Sequence, residues 1–183
     1  MIRQLSIQEL GRLSEQDFKV TKKLPLVLVL DNIRSMHNVG AAFRIADAFL
    51  VEKIYLCGIT AQPPHRAIHK TALGAENTIE WEYTSDTASL LRQLKKAGYL
   101  ITAVEQTNAS IVLDQYRPVA EQPYCLVFGH ELLGITATAL SYCDLALSIP
   151  QHGTKHSLNV AVAMGIVVWE IAKSMLPWNN TVS

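Results

Sequence analysis

Leu24-Pro25-Leu26-Val27-Leu28-Val29-Leu30 is an almost wholly apolar run of strand length. A strand with one wet face alternates apolar and polar side chains. One that is apolar at nearly every position has both faces covered and belongs inside a parallel sheet. The chain beyond it alternates accordingly. Residues 38–50 have helical spacing, with Val39, Ala42, Phe43, Ala46 and Phe49 on one face. Strands are predicted over 53–57, 79–83, 99–104, 124–128 and 145–149. Helices are predicted over 65–73, 87–97, 136–142 and 157–175, with Gly98 as a stop signal. Strands alternating with helices give an α/β fold, a mostly parallel sheet flanked by helices. Residues 1–23 are polar, with Leu5, Leu10, Leu13 and Phe18 spaced loosely like one helix face. They predict a helical N-terminal extension packed on a single domain over 24–176. Pro177 is expected to end the last helix, with a polar tail over 177–183.

The 183 residues are 49% hydrophobic, enough for one full core. Lys+Arg and Asp+Glu both number 16, so the net charge is zero. That argues against indiscriminate nucleic-acid binding through a large positive field, though a local basic patch remains available. Arg3, Arg12, Lys19, Lys22 and Lys23 are one candidate patch; His65, Arg66, His69 and Lys70 are another. Each reads equally well as a solvated surface. Cys57, Cys125 and Cys143 lie far apart in or beside apolar runs and predict free thiols in a reducing cytoplasm. No signal peptide is evident, and the longest apolar segment, 160–169, is too short to span a bilayer.

Ligands of open parallel sheets bind beyond the carboxyl ends of the strands. Polar, glycine-bearing segments follow strands at 31–40, 129–134 and 150–157. In the first, Asn38 reads as a helix N-cap. Gly40, inside a helix start, costs about 1 kcal/mol relative to alanine and implies close approach of another backbone or a ligand. Arg44 either snorkels to the surface or reaches into a pocket to hold a phosphate. In the second, Gly129 and Gly134 bracket Glu131. In the third, Ser157 reads as a cap, which leaves Asn159 and the Gly153 loop unexplained.

Together the segments resemble the SpoU (TrmH-like) family of RNA 2′-O-ribose methyltransferases, within the SPOUT class. The family's Asn-x-Gly followed by Arg and a small residue is matched by Asn38, Gly40, Arg44 and Ala46. Its Phe-Gly-x-Glu-x-x-Gly-Leu/Ile is matched by Phe128, Gly129, Glu131, Gly134 and Ile135. Its Ile-Pro-Met-x-Gly and Ser-Leu-Asn-Val-Ser-Val-Ala are matched by Ile149, Pro150, Gly153, Ser157, Leu158, Asn159, Val160, Val162 and Ala163. Gln151, Ala161 and Ile45 depart from the pattern.

The resemblance implies a C-terminal deep trefoil knot, a homodimer joined through the knotted region, S-adenosylmethionine as cofactor and no metal. It implies cofactor contacts at Glu105, Gly129, Ile149, Ser157 and Leu158. Arg44, Asn38, Glu131, Ser157 and Asn159 are the implied catalytic set. A guanidinium is a poor base, so anchoring a phosphate suits Arg44 better than proton abstraction. Breadth of the apolar surface on the last helix, through Val160, Met164, Val167, Val168 and Ile171, fits either a dimer contact or ordinary core packing. The implied substrate is RNA, with transfer RNA expected ahead of ribosomal RNA because the N-terminal extension is short. A zinc site at His65/His69 or His152/His156 lacks a third ligand, and a serine hydrolase lacks its Gly-x-Ser-x-Gly elbow. A related RNA-binding protein without catalysis is the remaining alternative.

Overall fold

The computed structural model describes residues 2–6 and 8–176; the tail expected over 177–183, with Pro177, lies outside the described residues. Seven strands form one parallel sheet: β1 (Leu24–Asp31), β2 (Val51–Cys57), β3 (Glu80–Thr84), β4 (Leu100–Val104), β5 (Ile111–Val112), β6 (Tyr124–Gly129) and β7 (Leu145–Ser148). Their order is β3-β2-β1-β6-β4-β7-β5, so β6 is central and β1 and β4 flank it. The helices are α1 (Glu15–Val20), α2 (Met36–Ala48), α3 (Arg66–Ala72), α4 (Thr87–Lys96), α5 (Ala137–Leu140) and α6 (Val160–Ala172). No helix among the described residues is long and apolar enough to cross a membrane.

The opening apolar run does what its composition requires. Leu26, Leu28 and Leu30 of β1 share one core cluster with Val39, Ala42 and Phe43 of α2, Ile68 of α3, and Met164, Val167 and Ile171 of α6. Val27 and Val29 point the other way, into a second cluster with Leu90, Leu91 and Leu94 of α4 and Ala139 of α5. Tyr124, Leu126 and Phe128 of β6 alternate with Cys125 and Val127 in the same manner. A period-two strand buried on both sides must be apolar throughout. Cys57 and Cys125 are buried and Cys143 partly so, all three as free thiols. Burial pushes the Cys57 thiol up to about 12, so it is inert at neutral pH.

The structure corrects four expectations. The extension is helical only over α1. Ser14 caps that helix, Gly11 turns the chain at φ +56°, and among the described residues of the extension only Phe18 enters the core. Leu5, Leu10 and Leu13 are 42–50% exposed. Asn38 is not a cap: Ser35 takes that place, accepting from the Asn38 N–H, which frees the Asn38 side chain. Ser157 is not a cap either, since α6 begins at Val160 behind Asn159. Finally, Met164, Val167, Val168 and Ile171 are core residues, which removes most of the expected dimer evidence on α6. The short edge strand β5 was not among the predicted strands, its apolar run being only Ile111-Val112-Leu113.

The close approach expected at Gly40 is to a backbone. A Cβ there would overlap Thr71 Oγ1 and the Ile68 carbonyl of α3. Gly40→Ala should therefore destabilise the protein by about 1–3 kcal/mol in urea unfolding, the overpacking cost exceeding the gain in helix propensity. Equal or greater stability would mean that α3 yields freely.

Candidate functional site

The three glycine-bearing loops converge at the carboxyl ends of β1, β6 and β7. β1 and β6 end in register, Asp31 opposite Gly129. The chain after β6 forms a tight loop, closed by the His130 N–H on the Gly134 carbonyl at 3.0 Å and the Gly134 N–H on the His130 carbonyl at 2.8 Å. Gly134 turns at φ +70°, a conformation that favours glycine. A Cβ on Gly129 would overlap the backbone of Gly134 and Ile135, so the loop can fold back only because both positions lack side chains.

This fold places Glu131 over the first loop. Its carboxylate accepts the backbone N–H of Arg34 at 3.0 Å, that of Ser35 at 2.9 Å and the side-chain amide of Asn38 at 2.8 Å. The Asn38 carbonyl oxygen accepts the Asn159 amide at 3.2 Å. Asn159 in turn caps α6, its oxygen accepting from the N–H groups of Ala161 at 2.9 Å and Val162 at 3.3 Å. Asn38, Glu131 and Asn159, from three distant segments, thus form one hydrogen-bonded unit. Partial burial opposes ionisation of Glu131. The bonds from Arg34, Ser35 and Asn38 outweigh it and hold the carboxyl below its ordinary range.

Beside this unit lies a cleft of about 450 Å³. Glu105, Gly129, Glu131, Ile149, Ser157, Leu158 and Asn159 all line it, with apolar walls from Val104, Phe128, Leu147 and Val160. Gln151, one of the departures from the family pattern, lines it too. Glu105 spans two loops, accepting from the Gln106 N–H at 2.9 Å and the Ile135 N–H at 3.3 Å. Gln106 holds the third loop by donating to the His156 carbonyl at 2.7 Å. Ser157 is exposed on the cleft wall. Gly153 is not on that wall, and a Cβ there would touch nothing within 4 Å.

Arg44 is the expected site residue that the single chain does not bring in. It is exposed on α2 and absent from the cleft lining. Six residues beyond Asn38, it stands about 9 Å along the helix and roughly 240° around it. Of the two histidine pairs weighed for zinc, His65 Nδ1 accepts from the Ala67 N–H at 3.1 Å, and His69 Nδ1 pairs with Glu76 at 2.5 Å. Among the described residues no group of three or more His, Cys, Asp or Glu is placed to hold a metal ion.

Asp31 was missed. It is fully buried and accepts from Thr87 Oγ1 at 2.7 Å, the Asn32 amide at 3.0 Å, and the N–H and hydroxyl of Thr136 at 2.8 and 2.9 Å. It therefore fixes the far end of the Glu131 loop. Its signal was a carboxylate ending an apolar strand, where burial demands several donors.

The sequence model of the SpoU rRNA Methylase family matches residues 25–169. A 23S rRNA (guanosine-2′-O-)-methyltransferase of Nitrosomonas europaea is 36% identical over 79% of this chain and 55% of its own length. The AdoMet-bound rRNA methyltransferase of Sinorhizobium meliloti superposes with a TM-score of 0.78 at 26% identity, over 85% of this chain and 58% of that one. The TrmH/SpoU tRNA modifying enzyme of A. aeolicus gives 0.76 at 25% identity, over 87% and 79%. The chain thus spans less than two thirds of the length of the curated relatives it matches, between 55% and 64%.

Glu131→Gln should lower unfolding free energy by about 1–3 kcal/mol near neutral pH, read from urea midpoints. A carboxyl with a depressed folded-state pKa contributes fully above its unfolded pKa, about 4.3, and loses the contribution as pH falls through the folded value. The difference from wild type should hold steady between about pH 6 and 8 and shrink below about pH 4. A difference that instead grows in acid would contradict the hydrogen-bonded anion.

Proposed function

The chain belongs to the SpoU rRNA Methylase family, and on that footing we propose that it is an S-adenosylmethionine-dependent RNA methyltransferase acting on a ribose 2′-hydroxyl. The observation that carries this reading is the Asn38–Glu131–Asn159 unit standing at the edge of the 450 Å³ cleft. That volume lies within the range of small-molecule sites, and the lining suits an adenosyl group: apolar faces with backbone polar groups at the strand ends. When bound, S-adenosylmethionine supplies a methyl group that is already electrophilic, so the protein's task is alignment and charge control.

Backbone groups at Gly129, Ile149 and Leu158 would hold the adenine and its ribose. Glu105 shapes the floor and keeps lone pairs free for a ribose hydroxyl. Glu131, ionised and committed to three donors, is a poor proton acceptor near neutral pH. Its role is to fix Asn38 and the Arg34–Ser35 backbone where the substrate ribose lies. Ser157 positions the attacking hydroxyl from the cleft wall, and Arg44 anchors the RNA phosphate.

Arg44 must then reach a cleft that its own chain does not extend to it, and a second copy of the chain supplies the geometry. Val162 and Ile166 are 52% and 38% exposed on one stripe of α6, and Trp169 beside Phe49 is 45% exposed. This apolar face adjoins Ile45, the neighbour of Arg44 on α2. We place the homodimer contact there, and a knotted path for the 149–159 segment belongs to the same reading. Higher identity to an rRNA enzyme than to the tRNA modifying enzyme favours ribosomal RNA over the transfer RNA expected from the sequence. A cytoplasmic location belongs to the same reading.

Methyl-labelled S-adenosylmethionine and total RNA lacking the modification test the proposal. Label should enter RNA; cofactor binding without label would leave a non-catalytic RNA-binding protein. Arg44→Ala should lower transfer by about a hundredfold with cofactor affinity unchanged. Parallel loss of both would make Arg44 a structural residue. Ile166→Glu should convert a sedimenting dimer to a folded, inactive monomer; a wild-type monomer with full activity would overturn the dimer.

A further inference from the structure

The Glu131 loop has a second face. Adjoining the large cleft, and sharing His130, Glu131 and Leu132 with it, is a second pocket of about 290 Å³ that is also lined by Arg34 and Ser35. Its size is at the low end of small-ligand sites, right for one ring system rather than a whole nucleotide.

The cavity's polar groups are of one kind. Among the described residues the Arg34 guanidinium makes no hydrogen bond or ion pair; only its backbone N–H is engaged, with Glu131. His130 Nδ1 accepts the Leu132 N–H at 3.0 Å, so the proton of the neutral ring sits on Nε2. The Glu131 oxygens are occupied by Arg34, Ser35 and Asn38. What remains to offer is donors: a guanidinium fork, a ring N–H and the Ser35 O–H, whose oxygen takes the Asn38 N–H at 3.4 Å. Leu132 adds a large apolar side chain, 84% exposed, and Leu133 next to it is 82% exposed. Leu132, held out in water on the wall of the pocket, is suited to covering the face of a planar ring.

We infer that this cavity receives the base of the nucleotide being methylated and that Arg34 selects a keto base, guanine or uracil. The inference rests on the methyl-transfer reading. A 2′-hydroxyl and a base leave adjacent carbons of one ribose. With that ribose over Glu131 and Asn38, the hydroxyl faces the cleft and the base falls into the second cavity. Proteins read RNA sequence mainly through such unstacked bases. Guanine presents O6 and N7 side by side, the acceptor pair that a guanidinium fork matches, and uracil presents O4. Adenine and cytosine would turn an amino donor toward Arg34, leaving donors face to face and unpaired.

The test uses the full chain, labelled S-adenosylmethionine and total RNA from cells lacking the protein. The RNA is digested to nucleosides and the methylated products are identified by mass spectrometry. Wild type should yield 2′-O-methylguanosine or 2′-O-methyluridine. Arg34→Ala keeps the backbone N–H on Glu131; it should lose about tenfold in kcat/KM, mainly through KM for RNA, with cofactor Kd within about twofold. Arg34→Gln, which offers an acceptor as well as donors, should begin to accept adenosine or cytidine. Methyladenosine or methylcytidine from wild type would overturn the inference, as would an Arg34→Ala enzyme of unchanged rate. No methylated nucleoside at all, despite cofactor binding, would instead bring down the methyl-transfer reading beneath it.

Discussion

The Glu131 carboxylate is the point on which the site depends. It can only accept, and that fixes the direction of every bond leading to it. Glu131 takes the Asn38 amide, so the Asn38 oxygen must face outward, where it receives the Asn159 amide. Asn159 then has its oxygen left for the first N–H groups of α6. The series runs from a helix N-terminus through two asparagines to an anion, with no amide free to flip. Three segments up to 121 residues apart in the chain are locked in one relative position by it.

Carboxylates hold the same loop at two further places. Glu105 reaches the Ile135 N–H from the end of β4. Asp31 receives Thr136 twice from the end of β1. The stretch from Gly129 to Thr136 is thereby tied at Ile135 and Thr136 by side chains from two strand ends and at Glu131 by its own carboxylate. Such support is what a site acting by alignment requires, since a small displacement of the reacting atoms is costly in rate. It also explains how Gly129 and Gly134 can fold tightly together at the mouth of a cleft without leaving the loop loose.

Much of the fold was legible because sheet burial writes itself into composition. The run at 24–30 could only be a doubly covered strand, and the central β6 reads the same way. The extension was misread because Leu5, Leu10 and Leu13 mimic a helix face, while Gly11 and the Ser14 cap divide the segment. β5, two residues long at the sheet edge, has no period to read. At the site, the family resemblance pointed to Asn38, Glu131 and Asn159 and to the cleft-lining Glu105, Gly129, Ile149, Ser157 and Leu158. Their partners were another matter. Asn38 and Ser157 both read as caps by position, whereas Ser35 and Asn159 do the capping. Local sequence cannot tell a side chain that satisfies its own helix from one aimed at a loop 93 residues away. Arg44 stood out as an arginine on an apolar helix and by its motif, and its distance from its own cleft appears only in three dimensions.

The central claim is that these loops direct a methyl group to a ribose oxygen and nowhere else on RNA. Where the label lands is its most direct test. A 2′-O-methyl group removes the internal nucleophile by which alkali cleaves the adjacent phosphodiester. RNA labelled by this protein and hydrolysed in alkali should therefore carry its label in resistant dinucleotides. Label recovered in mononucleotides, as methylation of a base would give, would contradict the account.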